Sequence, residues 1–418
     1  MLARLRHMVR RGWTLLLIGY LLNMGSISAQ EQPSPTPEDD APPRTLTIWW
    51  PDALASPEQP DVLQALTAQT TAFAAENNLD VETRIKSDAE VGGLMSTLRS
   101  ASAVAPGALP DVTLLTRQQL LQAERTGLIQ TLEGRVPTGI VSGLQGALQL
   151  GQIDGELYGL PYMLEALQIA YRPQPGVDYE SWSYDGWLAR GEPLTFAAGR
   201  TRGLNRVAYL QYALTGDNTQ RDGTLSYSEP VLFNLLSFYE LASDAGLIDG
   251  FNLNYGEVDD YMAAFRAGEI DQAVMESTTY LRLLNDEPEI AAAPIPTPMG
   301  DPATVLDGWM WVLVTTDIEQ QRLVTEYLTT MMRPDFQAEV AHAAHMLPSQ
   351  RTLISEVVER SEDIAFYNAL LDNFILPLVD SEGGSLARRI QESFASVLTK
   401  ERSAQAAAAV VTEQQNNE

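Results

Sequence analysis

Apolar residues recur along this chain with two periods, and the switches between them lay out its elements. Leu46 and Ile48 alternate with Thr45 and Thr47, so Thr45 to Trp50 reads as a strand. Val62, Leu63, Leu66 and Phe73 share one face of a helix over Asp61 to Asn77. A strand at Val81 to Ile85, a helix at Leu94 to Ala103 and a strand at Asp111 to Leu115 follow. Thr116, with Gln119 three residues on, opens the next helix as a capping box. This βαβαβα order is the start of a doubly wound α/β lobe.

The middle of the chain is denser in signals. Asp154 and Gly155 make a tight turn, and Glu156 to Leu160 is a short strand. Pro161 lacks a backbone donor, which places it outside a central strand. Leu167, Ile169 and Tyr171 then alternate with Gln168 and Ala170, the period of a strand. Glu165 falls between these pieces among Met163, Leu164, Ala166 and Leu167, where a carboxylate is costly unless solvated, paired or waiting for a ligand. Beyond it, Trp182 to Leu188 opens a helix with Trp187 in the core. Arg200 to Gly216 has no clean period, which leaves Tyr209 and Tyr212 open to either cleft or core. Pro230 to Ala245 is a helix, and Gly268 stops another inside Tyr255 to Ile270. The strand Asp271 to Glu276 and the proline-stiffened stretch Ala291 to Pro298 precede a strand carrying Trp309 and Trp311. Those two have the same parity, so one is open to a core role and the other to a cleft role. Asp317 with Gln320 caps a helix that ends at Arg333–Pro334. Residues 415–418 are a frayed tail.

The chain has 418 residues, 45% hydrophobic and 20% charged, enough for two or three domains. Its formal net charge of -28 excludes nucleic acid as a partner, because phosphate binding needs basic surface. There is no cysteine, hence no disulfide, no thiolate metal site and no lipid-modified cysteine. Arg4, Arg6, Arg10 and Arg11 precede an apolar run from Thr14 to Leu22 and small residues from Ser26 to Ala29, the layout of a signal peptide over residues 1–29. An uncleaved anchor is the alternative. Residues 30–43 are a Pro-rich acidic spacer that cannot bury a core. His342 and His345, in HAAH, lack the Glu and the spacing of a zinc protease, and no metal or cofactor motif is present. No catalytic motif is present either.

Two places look suited to ligands. Trp49, Trp50, Pro51 and Asp52 end the first strand, and in open α/β sheets ligands lie beyond such carboxyl ends. Arg117 and Gln118 sit at a helix N-terminus, where free N–H groups favour acceptors. Core packing of one tryptophan, and a surface ion pair for Arg117, are the alternatives.

The stretch DGELYGLPYMLEALQIAY resembles the matching segment of family 1 extracellular solute-binding proteins, the maltose-binding-like group that serves ABC importers. PDVTLLTRQQLLQAERTGL, YMAAFRAGEI with AVMESTTY, TVLDGWMWVLVTT and HMLPSQRTL resemble further family segments in the right order. The resemblance implies an α/β fold of the type II periplasmic-binding-protein kind, two lobes, each a sheet flanked by helices. It places 44–164 and 292–333 in lobe I and 165–291 and 334–414 in lobe II, with crossings near Glu165, Pro294 and Arg333. It implies a monomer outside the cytoplasm that shuts on a small solute, a sugar first of all, and hands it to a membrane permease. The family's sugar-contacting Glu corresponds to Glu165, and its stacking Trp to Tyr280. Trp49, Trp50 and Trp309 would offer further flat faces, and Gln118, Ser277 and Asp307 would take hydroxyls. Leu115, Gln118 and Gln119 stand where maltodextrin binders carry an aromatic and an Asp-Arg pair, a departure that points away from maltodextrin. A cationic or polyol solute, a sensor subunit and a secreted carbohydrate-active enzyme remain as other readings.

Overall fold

The computed structural model describes residues 44–416, apart from 90, 200–202, 216–220 and 380–383. The signal segment and the spacer lie outside the described residues, and the last helix runs on to Asn416. Among the described residues no helix is long and apolar enough to cross a membrane.

Strand β1 (Arg44–Pro51) pairs in parallel with β2 (Leu79–Lys86) and with β3 (Val112–Leu115). The helices Pro60–Glu76 and Leu94–Val104 connect them, close to where the apolar periods put them. A small hairpin, β4 (Gln152–Ile153) with β5 (Glu156–Leu157), turns on Asp154 and Gly155, whose φ values are 51° and 86°. Then comes β6 (Gly159–Tyr171), the longest strand, which runs through both halves of the molecule. It is followed by β7 (Gln272–Glu276), β8 (Ala291–Ala293), β9 (Thr304–Leu313), β10 (Leu347–Pro348) and β11 (Phe374–Ile375). The main order is β10-β6-β9-β3-β1-β2, with β7 and β8 added to β6 and β11 added to β9.

The pairing shows where the chain passes between lobes. Residues 159–166 of β6 pair antiparallel with β9, and residues 167–171 pair with β7 and β8 instead. Likewise β9 pairs with β11 at Thr304 and Val305, then with β6 and β3 beyond them. At the change of partner, side-chain hydroxyls satisfy backbone groups that the ladder leaves open. The Leu167 N–H donates to Thr304 Oγ1 at 2.7 Å, and the Ala166 N–H donates to Ser277 Oγ at 3.0 Å.

Pro161 lies inside β6, contrary to the expectation from its missing N–H. A bulge between Pro161 and Met163 absorbs the irregularity, and the Pro161 carbonyl accepts from Ser349 Oγ at 2.6 Å. The lobe boundaries also differ from expectation. The helix Pro334–Ala344 stays with the first lobe: Gln69 Nε2 donates to the Phe336 carbonyl at 3.0 Å, and Gln337 Nε2 donates to the Tyr162 carbonyl at 3.0 Å. Pro334 starts this helix instead of ending the lobe, and β10 then pairs with the first-lobe half of β6. Similarly, β8 belongs to the second lobe, so the return crossing is β9 itself and not Pro294.

The first-lobe core gathers Trp50, Trp311 and Tyr327; the second gathers Trp187, Phe196, Tyr239 and Phe394. A third apolar cluster is continuous from one lobe to the other beneath the crossings, through Leu164, Met310, Tyr280 and Tyr367.

Gly308 is a position of β9 where β6 leaves no room for a side chain. A Cβ there would lie 2.0 Å from the Met163 carbonyl oxygen, which is backbone and cannot swing away. Gly308→Ala is therefore expected to lower stability by about 1–3 kcal/mol in denaturant unfolding. Gly107→Ala, where a Cβ meets nothing within 4 Å, should change it by less than about 0.5 kcal/mol.

Candidate functional site

Two carboxylates face each other at the crossing. Glu165 on β6 and Asp307 on β9 are direct cross-strand partners, so their side chains leave the sheet on the same face. The next β6 residue on that face, Leu167, pairs with Glu276 at the end of β7. Three acids from three strands therefore converge within one short stretch of sheet.

Cations arrive from both lobes. The helix Arg206–Ala213 is N-capped by Asn205, whose Oδ1 accepts from the Ala208 N–H at 2.9 Å. Asn205 is held in turn by Gln391 Oε1, at 3.0 Å from its backbone N and 3.1 Å from Nδ2. Arg206 then reaches Glu276, Nη1 to Oε1 at 2.6 Å. On the other side, Thr116 and Gln119 form the expected capping box for the helix Arg117–Arg125. Arg117 is buried, and its Nη1 donates to the carbonyls of Leu150 at 2.9 Å and Gln152 at 2.6 Å.

The electrostatics follow from this crowding. Burial pushes the Glu165 carboxyl up to about 7; Glu276 and Asp307 push the same way, while the Thr278 hydroxyl and Arg206 pull it down. Burial also raises Asp307, against the pull of Arg206, of the Gly308 N–H at 2.9 Å and of Arg117. Burial lowers Arg117, opposed by Asp307 and Asp222.

A cavity of about 380 Å³ opens beside this cluster on the second lobe, lined among others by Leu167, Asn205, Arg206, Glu257, Tyr261 and Glu276. A wider one of about 790 Å³ lies next to Arg117, with Gln152, Arg221, Asp222 and Thr224 on its wall. The arrangement can present carboxylate acceptors and guanidinium donors to a small polar molecule touching both lobes.

The structure thus brings together Glu165, Asp307 and Arg117 from the residues singled out in the sequence. Trp309 lies on the Asp307 face two residues on, 8% exposed. Others are placed elsewhere. Trp49 and Trp50 are each 1% exposed, because β1 is a central strand covered on both faces. The Trp49 ring is further capped by Lys86 Nζ, 4.3 Å from its centroid. Ser277 is buried with its hydroxyl on the crossing strand. Tyr280 is buried too, and its hydroxyl is bound to Asp363 and Arg360. These four side chains pack the lobes and offer no face to the gap. Asp52 joins a separate network at the first-lobe strand ends: its Oδ1 accepts from the Asp88 N–H at 3.0 Å, and Asp88 accepts from Gln119 Nε2 at 2.8 Å. Gln118 beside it is exposed. Tyr209 and Tyr212 are core residues whose hydroxyls bind the Leu376 and Ser226 carbonyls.

Sequence reasoning missed Arg206, Glu276 and Tyr261. The signals were slight: Asn205 is a good N-cap before an apolar turn, and Glu276 ends a strand at the same edge as Glu165.

Two α/β lobes, joined by strands whose junction carries the polar cluster, define a two-lobed binding protein. The chain matches the family model for bacterial extracellular solute-binding proteins over residues 68–365, and it belongs to that family. No curated protein matches it. Among solved structures, the cyclic alpha-maltosyl-1,6-maltose binding protein from Arthrobacter globiformis is similar at 16% identity and TM-score 0.71, covering 88% of this chain and 97% of that one. The GacH receptor of Streptomyces glaucescens, solved unliganded and with acarbose, is similar at 16% identity and TM-score 0.65, with 90% and 98% covered. A family 1 extracellular solute-binding protein from Bifidobacterium longum subsp. infantis is similar at 14% identity and TM-score 0.66, with 90% and 100% covered. These likenesses establish the fold.

Because the Glu165 carboxyl rises from its ordinary 4.5 to about 7, folding disfavours its ionised form. That cost is absent below about pH 4.5 and complete above about pH 7. Glu165→Gln should therefore be more stable than the native chain by roughly 1–3 kcal/mol above pH 7, the gap closing as the pH falls through 7 toward 4.5. Urea unfolding across that range measures it.

Proposed function

We propose that this protein captures a sugar or oligosaccharide between its lobes outside the cytoplasm and delivers it to the membrane permease of an ABC importer. The observation that carries the reading is the polar cluster of Glu165, Asp307, Glu276 and Arg206, set where the strands pass between lobes and beside a cavity of about 380 Å³. Family membership and the sugar ligands named for similar structures support it.

The mechanism is a shift between open and closed states. A solute that touches Glu165 at the crossing, Arg206 from the second lobe and Arg117 from the first has all of these contacts only when the gap is shut. It therefore favours the closed state by the energy of those extra contacts. Carboxylates accept from sugar hydroxyls and guanidinium groups donate to them. Nothing in this cycle needs a cofactor or a chemical step: the protein works as a monomer that binds and releases. In this reading the N-terminal segment is a signal peptide cut after Ala29, and the chain leaves the membrane without a lipid anchor.

Calorimetry against a panel of mono- and oligosaccharides, with small-angle scattering for closure, tests the reading. At least one member should bind and shrink the radius of gyration, and Glu165→Gln and Arg206→Ala should each weaken it about tenfold or more. A panel that neither binds nor closes the protein overturns it.

A further inference from the structure

Resting on the solute-binding reading, we propose that the solute carries a positively charged amino group seated between Glu165 and Asp307, so that the protein selects an amino sugar over the hydroxyl sugar of the same shape.

The first observation is what the cations near the site already do. Arg206 is paired with Glu276, and Arg117 Nη1 donates to the carbonyls of Leu150 and Gln152 and not to either acid. Neither Glu165 nor Asp307 has a Lys, Arg or His ion-pair partner among the described residues. They nonetheless face one another as cross-strand partners. Like charges directly opposite repel, and acids withdrawn from water with no cation in ion-pair contact are costly. A ligand hydroxyl would give such a pair a hydrogen bond but no charge. An ammonium group gives both, in charge-assisted hydrogen bonds to two carboxylates at once.

The second observation is a buried polar group beside the same acid. Among the described residues the Thr278 hydroxyl has no partner but Glu165, next to which it lies 9% exposed. It is left to complete the shell of a ligand held there. The third is the loss of stacking faces. With Trp49, Trp50 and Tyr280 in the cores, the site reads its guest through charge more than through aromatic platforms. The adjoining cavity of about 380 Å³ suits a compact guest.

The groups that face Glu165 are Asp307 from β9, Glu276 and Thr278 from β7 and the helix after it, and Arg206 from the helix Arg206–Ala213. Burial, helped by Glu276 and Asp307 and opposed by Thr278 and Arg206, holds the Glu165 carboxyl at about 7. A cation beside it favours the ionised form, so binding at about pH 6 to 7 releases a proton, and affinity rises as the pH climbs from about 5 toward 7, above which the sugar ammonium itself begins to lose its proton.

The test uses the full chain without its first 29 residues and three matched pairs: D-glucosamine with D-glucose, D-galactosamine with D-galactose, and fully deacetylated chitobiose with cellobiose. Titration calorimetry in two buffers of different ionisation heat gives affinity and proton release together. The amine should bind at least about tenfold tighter than its partner in one pair or more, with proton release. Glu165→Gln and Asp307→Asn should each cut that preference to about threefold or less while circular dichroism stays native. Hydroxyl sugars that bind as well as their amines overturn the amino-sugar inference and leave the solute reading standing. If no amine binds, the inference also falls; if no neutral sugar of the wider panel binds either, the solute reading falls with it.

Discussion

The close approach of β6 and β9 is the contact on which the rest of this molecule depends. Among the described residues the two strands are the only main-sheet partners that each serve both lobes, and at Gly308 there is no room between them even for a methyl group. That spacing fixes the register in which Glu165 meets Asp307. Because side chains alternate along a strand, a slip of one residue in either strand would send its carboxylate into the apolar cluster beneath the crossings. The hydroxyls of Thr304 and Ser277 finish the job, holding backbone groups where the ladders change partner.

The cost of this arrangement is electrostatic. Most of the sheet is buried under apolar side chains on both faces, and there the fold obeys ordinary packing rules. At the crossing it sets acids opposite each other and brings in guanidinium groups that only partly balance them. Proteins keep such local conflict mainly where a site requires it. The contrast with the Tyr280–Asp363–Arg360 group is instructive, because there a buried acid has its cation close by, Arg360 Nε to Asp363 Oδ2 at 2.7 Å, and the network is closed to solutes.

How much of this was legible in the residues depends on which physical signal each part carries. The first-lobe strands and helices were, because their alternation and caps are local: the Thr116–Gln119 box and the Asp317 cap appear where the sequence put them. The two lobes came through the order of motifs, but their boundaries did not, since a proline looks alike whether it ends a lobe or starts a helix within one. Glu165 stood out as a carboxylate in apolar company. Trp49 and Trp50 misled because burial on both faces is a property of a strand's place in the sheet, and nothing in IWWP says that β1 will be central. Arg206 stayed hidden for the opposite reason: its stretch has no period, and its position is decided by a glutamine far along the chain.

That last dependence reaches beyond the site. Gln391 lies 186 residues after Asn205, yet it grips the residue that starts the helix bearing Arg206, and it also donates to the Ala198 carbonyl at 2.7 Å. A growing or threading chain thus cannot complete its binding face until almost its whole length has emerged. Premature termination between β10 and the penultimate helix Ser385–Leu398 leaves a fragment that has every first-lobe strand but not the glutamine that holds the start of the Arg206 helix.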